Sequence, residues 1–265
     1  PEIEMPGHSE EVLAAYPELS CAGEPYRQGE FCIGNEETFR FMETVLAEVI
    51  DVFPSEFIHI GGDEANKEHW KECPKCRQRM QEEGLENVDE LQSYMIRRIS
   101  RFMEAKGRRI IGWDEILDGG LASGATVMSW RGVAGAKEAA ARGFDAIMTP
   151  NSHFYFDYCQ SENRDEEPLG IGGFISLEKV YGFDPYEGLD EDQQGHILGI
   201  QANLWTEYIS TMEHLEYMLL PRMLALSEVQ WCEERNRDFG RFLTALEESG
   251  YKILEKSGYN YRKND

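Results

Sequence analysis

Phe57-Ile58-His59-Ile60-Gly61-Gly62-Asp63-Glu64 is a short apolar run that ends in two glycines and then two adjacent carboxylates. Alternation puts Ile58 and Ile60 on one face of a strand and His59, Gly61 and Asp63 on the other. The glycines remove the Cβ atoms beside the acids, so a ligand or a neighbouring backbone can come close. Two carboxylates side by side repel each other, which pushes one of them to hold a proton near neutral pH, as a general acid must. Taken alone, Asp63 and Glu64 read more readily as the opening of the next helix, where acids favour the N-terminal dipole. The rest of the chain decides against that, because its strand-like runs repeatedly end in Trp, Tyr, Asp and Glu.

Upstream, Pro1 to His8 reads as the end of a strand entering a tight turn, with Ser9 placed to cap a helix over Glu10 to Ala15. Residues 20–35, rich in Gly and Pro, form a long loop, and Asn35 or Glu36 opens an amphipathic helix that Pro54 stops. Downstream, helices are expected over 66–83 and 88–106, the second ended by Gly107. Further strands follow near 109–113, 126–130 and 145–149, with an Ala-rich helix over 135–142. The acidic segment 161–195 reads as a surface loop with one helical turn near Leu177 to Tyr181. A last strand covers 197–204, then come a helix from Met212 to Cys232 that contains Pro221, and a closing helix from Asp238 to Lys256.

Strands that alternate with helices call for a parallel sheet. Chemistry-bearing side chains at the C-terminal ends of nearly all of them favour a (β/α)8 barrel, because a doubly wound sheet gathers its ligand groups at one switch point. Six strands are visible where the barrel has eight, so the expectation is one partial barrel domain over residues 1–265, with about two βα units upstream of Pro1. The strands at either end of such a sheet would have unpaired edges, through which self-association is expected.

The composition is that of an ordinary globular domain, 41% apolar and 29% charged, and no apolar run is long enough to span a bilayer. A net charge of −24 excludes a nucleic-acid surface, which needs Lys and Arg to replace counterions. The chain opens inside an element without an initiator Met, so a signal region is expected upstream, and a secreted, periplasmic or cell-surface location for the full-length protein. Cys73-Pro74-Lys75-Cys76 has the spacing of half a zinc site or of a redox pair. Cys21 and Cys32 could complete a four-thiolate site, could pair with each other as a disulfide, or could be plain thiols like the rest.

Seven stretches, in this order, resemble glycoside hydrolase family 20, the β-N-acetylhexosaminidases. They are Pro1 to His8, His59 to Glu64, Gly112-Trp113-Asp114-Glu115-Ile116, Met128-Ser129-Trp130-Arg131-Gly132, Tyr155-Phe156-Asp157, Asn203-Leu204-Trp205-Thr206-Glu207, and Leu220-Pro221-Arg222 onward to Glu228. The resemblance implies release of terminal N-acetyl-β-D-hexosamine from a glycan with retention, the substrate's own 2-acetamido oxygen acting as nucleophile. The residues agree, since adjacent acids cannot flank a glycosidic bond from opposite sides. Carried over, Glu64 is the general acid and base, Asp63 orients the acetamido group, and Tyr155 donates to its carbonyl. Trp113, Trp130 and Trp205 wall the sugar, while Asp157 and Glu207 hold hydroxyls.

An isolated Trp reads as core, but three at strand ends, two of them within two residues of an acid, read as a pocket. His8 matches the histidine that tunes the general acid, against the plainer reading of a turn histidine bonded to backbone. Glu4 stands where the family more often has Asp. His59 reads as structural, and Arg222, Glu228 and Trp231 as packing of the late helix. The resemblance implies no metal or organic cofactor. The alternatives are a carbohydrate-binding barrel, which would have no need of the acid, and a catalytically inactive fragment.

Overall fold

The computed structural model describes residues 1–263. The chain packs as two compact units, Pro1–Ser129 with Gly135–Ala146, and Trp130–Ala134 with Ile147–Asp265. In chain order the first unit runs β1 (Glu2–Met5), α1 (Glu10–Ala15), α2 (Glu36–Val52), β2 (Phe57–Gly61), α3 (Glu68–Glu72), α4 (Pro74–Glu83), α5 (Val88–Ala105), β3 (Arg109–Trp113), β4 (Thr126–Ser129) and α6 (Ala134–Ala141). The division falls within β5 (Ala146–Met148). The second unit continues with α7 (Asn151–Phe154), α8 (Leu177–Tyr181), α9 (Glu191–Gln194), β6 (Ile197–Ile200), α10 (Met212–Leu219), α11 (Arg222–Trp231), α12 (Phe239–Ala245) and α13 (Tyr251–Ser257). The strands follow one another in the sheet in the order of the sequence. Among the described residues no helix is long and apolar enough to cross a membrane.

In the first unit the pairing is parallel, with Met5 opposite Gly61, Ile58 opposite Ile110 and Trp113 opposite Met128. Parallel pairing brings the C-terminal ends of β1, β2 and β3 to one edge, where His8, Asp63 and Asp114 follow the strands. Ile58, Ile60, Ile110 and Val127 are buried, as are Phe39, Met42 and Leu46 of α2 and Leu91, Met95, Ile99 and Met103 of α5. These helical positions recur every three or four residues, the spacing of one buried stripe. The Asn35 side chain caps α2 as expected, accepting from Glu37 N–H, and the Asn87 side chain caps α5, accepting from Asp89 and Glu90 N–H. Glu36, at the start of α2, joins Arg98 and Arg79, and bonding to Arg98 above all holds its carboxyl down at about 2. Arg98 also lies 3.9 Å from the centre of the Phe39 ring.

Several expectations are corrected. The helix over 66–83 is broken at Cys73, whose extended backbone (φ −67°, ψ 121°) is what a following proline imposes, and Pro74 then starts α4. Pro221 divides the helix over 212–232 in the same way, since it has no N–H to continue the ladder. The last strand ends at Ile200, well short of 204. Ser9 does not cap α1 with its side chain, and its hydroxyl donates to Gly7 C=O at 2.8 Å instead. The closing helix contains a wider turn over Leu246–Gly250. Trp231 does not pack the late helix, because it is 90% exposed.

Arg222 does belong to packing. It is fully buried in the second unit, and its guanidinium donates to the carbonyls of Ile175 at 3.2 Å, Phe156 at 2.7 Å and Met218 at 2.6 Å. Burial lowers its pKa to about 9, with the charges of Glu167 and Asp157 pulling the other way. Arg222→Met leaves three buried carbonyls without donors and should destabilise this unit by about 3 kcal/mol or more. Arg222→Lys should recover only part, because one ammonium cannot reproduce the planar fork. Amide hydrogen exchange at Phe156 and Ile175 measures the loss, and unchanged protection in Arg222→Met overturns the assignment.

Candidate active site

In the first unit β1 runs into Pro6-Gly7-His8 and β2 into Gly61-Gly62-Asp63-Glu64. The backbone turns sharply at both ends: His8 has φ +50°, Gly61 +70°, Gly62 +100° and Glu64 +46°. A Cβ on Gly61 would lie 2.1 Å from Glu4 Oε2, and one on Gly62 would lie 2.6 Å from Ile116 Cγ2. Glycine is therefore required twice over here, by conformation and by space. His8 and Glu64 adopt the left-handed region without being glycine, a cost that residues at functional sites often carry.

These turns place His8 Nε2 3.4 Å from Asp63 Oδ2 and 3.5 Å from Glu64 Oε2. The two acids differ in access: the Asp63 side chain is 13% exposed and that of Glu64 57%. Asp63 is thus held in the structure while Glu64 reaches into solvent. The bond from Asp63 raises the His8 pKa to about 9, against burial, and the charges of Asp63, Glu4 and Glu64 add to it. The repulsion expected between the adjacent acids is met in this structure by a cation set against both.

Behind this group is a second set of acids. Burial, together with bonding to Glu2 and the charges of Glu2 and Asp63, pushes Glu4 up to about 8, so it carries a proton at neutral pH. Burial also opposes ionisation of Glu2, but bonds to His59, Glu4 and Trp113 outweigh it and hold that carboxyl below the ordinary range. Trp113 Nε1–H donates to Glu2 Oε1 at 2.9 Å, and His59 Nδ1 lies 3.1 Å from the same oxygen. The His59 ring packs at 4.7 Å against Trp113, which is 2% exposed. His59 is structural, as expected. Sequence reasoning missed Glu2, whose only signal was its alternation with Ile3 beside Glu4 on a strand.

In the second unit the chain leaves α7 at Tyr155, which forms a parallel bridge with Asn203. Phe156 N–H donates to Asn203 C=O at 2.7 Å, and Asn203 N–H donates to Phe154 C=O at 2.8 Å. This pairing fixes an aromatic group. The Tyr155 ring is 6.1 Å from Trp130 and nearly parallel to it, 6.3 Å from Trp205 and 5.9 Å from Tyr158. Tyr155 is buried, while Trp130 and Trp205 are half-buried. Asp157 is buried, and burial raises its pKa to about 6, with Glu207 adding to the rise and Arg222 and the Trp205 backbone opposing it. Its Oδ1 is buried without a hydrogen-bond partner among the described residues, and Glu207 is exposed. The sequence-predicted residues thus gather as His8, Asp63 and Glu64 in one unit, and as Trp130, Tyr155, Asp157, Trp205 and Glu207 in the other. Trp113, expected as a wall of the sugar pocket, is instead buried against Glu2 and His59, because its ring packs on His59 and its N–H is taken up by Glu2.

Two groups among the described residues have metal-ligand chemistry. The ligand atoms of His8, Asp63 and Glu64 lie within 4.8 Å of one another, at an exposed to half-buried turn. The other group is Cys21, Cys32, Cys73 and Cys76.

The family model described as glycosyl hydrolase family 20, catalytic domain, matches residues 1–234. A beta-hexosaminidase of Porphyromonas gingivalis is 44% identical over 271 residues, covering 98% of this chain and 35% of that protein. One of Vibrio furnissii is 35% identical over 86% of this chain and 39% of that protein. Among solved structures, a GH20 exo beta-N-acetylglucosaminidase of Vibrio harveyi in complex with N-acetylglucosamine superposes with a TM-score of 0.88 at 28% identity, over 99% of this chain and 43% of that one. The beta-N-acetylhexosaminidase of Bacteroides fragilis does so with 0.85 at 30% identity, over 98% and 54%. The chain therefore spans between a third and about half of these relatives, and its six parallel strands and their helices have the α/β fold of their barrels. By sequence and by fold, the chain belongs to glycosyl hydrolase family 20.

Proposed function

We propose that this chain supplies the machinery of a β-N-acetylhexosaminidase, which hydrolyses terminal non-reducing N-acetyl-β-D-hexosamine from glycans with retention of configuration. The observation that carries the reading is the placement of His8 Nε2 against both Asp63 and Glu64, one acid held and the other open to solvent. Adjacent residues cannot provide the separated carboxylate pair of ordinary retaining glycosidases, about 5 Å apart across the bond, and family 20 belongs to the substrate-assisted exceptions.

In the first step the acetamido oxygen bonds to the anomeric carbon as the bond to the leaving oxygen breaks, and Glu64 gives its proton to that oxygen. Asp63 accepts from the acetamido N–H, which orients the nucleophile and balances the positive charge of the oxazolinium ring. In the second step Glu64 takes a proton from water, the water oxygen bonds to the anomeric carbon, and the ring opens. His8, a cation below about pH 9, offsets the charge on Asp63, and on Glu64 once its proton has passed to the leaving oxygen. Of the remaining residues, the Tyr155 hydroxyl donates to the acetamido carbonyl, Trp130 and Trp205 provide apolar walls, and Asp157 and Glu207 hold hydroxyls, while Trp113 backs Glu2 and His59 from within. The aromatic cluster around Tyr155 supports that share of the reading.

With Glu64→Gln, kcat should fall by roughly 10²–10⁴ for glycosides with poor leaving groups and far less for activated aryl glycosides, which need little protonation. Equal losses for both would remove Glu64 from the role of acid. A thiazoline that mimics the cyclised intermediate should bind much more tightly than N-acetylglucosamine, and Asp63→Asn should weaken the mimic more than the sugar. Trapping a glycosyl ester on any carboxylate of this chain would contradict the mechanism.

The titrations carry a sign as well. Glu4 and His8 are both raised when folded, from 4.5 to about 8 and from 6.5 to about 9. A group raised on folding binds its proton more tightly in the native state, so its contribution is complete below the unfolded value and is lost as pH climbs through the folded one. Stability of the first unit should therefore decline from about pH 4.5 to 9, and Glu4→Gln should flatten the part below 8. Denaturant midpoints for parent and variant across this range check it, and a midpoint that rises with pH in the parent contradicts the assignment.

A further inference from the structure

The four cysteines left open by the sequence converge. Cys21 Sγ lies 3.7 Å from Cys76 Sγ, and Cys32 Sγ lies 3.8 Å from Cys73 Sγ and 3.7 Å from Cys76 Sγ, with all four sulfurs within 4.8 Å of one another. A disulfide gives each sulfur one partner at about 2.05 Å. Here Cys32 and Cys76 each have two sulfur neighbours at nearly equal distance, the pattern of atoms arranged around a common centre. Four sulfurs about 2.3 Å from a tetrahedral zinc ion are about 3.8 Å apart along each edge. From this agreement we propose that Cys21, Cys32, Cys73 and Cys76 form a closed tetrathiolate site for one structural zinc ion.

The surroundings are built for thiolates. Cys32, Cys73 and Cys76 are buried and Cys21 is half-buried, so the ion is shielded from exchange with solvent ligands. Gly34 N–H donates to Cys76 Sγ at 3.4 Å, the kind of backbone bond that orients a metal-bound sulfur. Gly34 is packed so closely on the Lys75–Cys76 peptide that a Cβ there would lie 2.1 Å from Lys75 C and 2.3 Å from Cys76 N. Cys73 is the N-cap residue of α4 and Cys76 lies in its first turn, where the helix dipole favours negative sulfur.

The ion cross-links two stretches that are also joined by Trp70 Nε1–H donating to Phe31 C=O at 2.9 Å and by His69 against Glu30. The loop bearing Cys21 and Cys32 has one isolated bridge, Ser20 to Phe31, and no regular strand or helix. Its Phe31 N–H donates to Pro6 C=O at 2.9 Å, and its Gly29 C=O accepts from Ser9 N–H at 2.9 Å, on either side of His8. Gln28 and Glu30 of the same loop, with Gly7, His8 and Glu64, line a cleft of about 380 Å³. The zinc site braces the wall of that cleft.

The test is elemental analysis of the chain purified without chelators, followed by cobalt replacement. One zinc per chain is expected, with four thiols that react with a mercurial only as zinc is released, and a cobalt form that has the visible absorption of a tetrahedral tetrathiolate. Cys32→Ser and Cys76→Ser should each lose most of the zinc, whereas Cys232→Ser, outside the cluster, should keep it. Release of zinc from the parent should speed amide exchange at Gly29 and Phe31 several-fold. A metal-free protein whose four cysteines alkylate freely in the presence of zinc, or are paired as disulfides, overturns the site, and stoichiometric iron overturns the choice of ion. The cobalt spectrum of the parent decides the matter even where a variant fails to fold.

Discussion

One imidazole set between two carboxylates organises the chemistry of the first unit. Asp63 and Glu64 are neighbours in sequence and cannot separate, and Glu2 and Glu4 stand on the adjacent strand, so the strand ends concentrate negative charge in a chain that already carries −24. The structure relieves this in two ways. His8 takes up a proton strongly enough to stay cationic to about pH 9, and Glu4 keeps its own to about pH 8 and bonds to Glu2. Both depend on parallel register, because Met5 opposite Gly61 is what brings the turn after β1 to the turn after β2.

Much of this was legible where the signal is local. The alternation and paired glycines of β2, the Asn cap of α2, and the apolar stripes of α2 and α5 are consequences of residues within a few positions of one another. At Cys73 and at Pro221 a proline breaks a run of otherwise helix-compatible residues, because its steric restriction outweighs their propensity. The end of β6 was misread because Gln201 to Asn203 continue to pair, with Met148 and Tyr155 neighbours, without forming regular strand. Trp231 was misread because nothing in an amphipathic pattern reports whether the expected partner surface is present.

Partners far apart in sequence are less legible. Glu2 meets His59 and Trp113 from other strands, and nothing near Pro1 announces them. The family resemblance named Asp63, Glu64, Tyr155 and, as a departure, Glu4, but not Glu2 behind them. The cysteines show the boundary: Cys73 and Cys76 display ligand spacing by themselves, whereas Cys21 and Cys32 become ligands only through the fold, and the Gly34 contact that locks them together has no sequence signature at all.

The backbone of Glu64 has an evolutionary reading. At φ +46° an L side chain costs on the order of 1–3 kcal/mol, whereas glycine adopts that angle freely and asparagine more readily than glutamate. Selection on folding alone would remove glutamate from this position, so its presence records selection for something else. Once that selection is relaxed, drift at position 64 runs downhill in folding free energy toward glycine or asparagine. Under the role proposed for Glu64, a descendant of this fold that kept sugar recognition without hydrolysis is expected to be more stable at that residue, and the change is hard to reverse for the same reason.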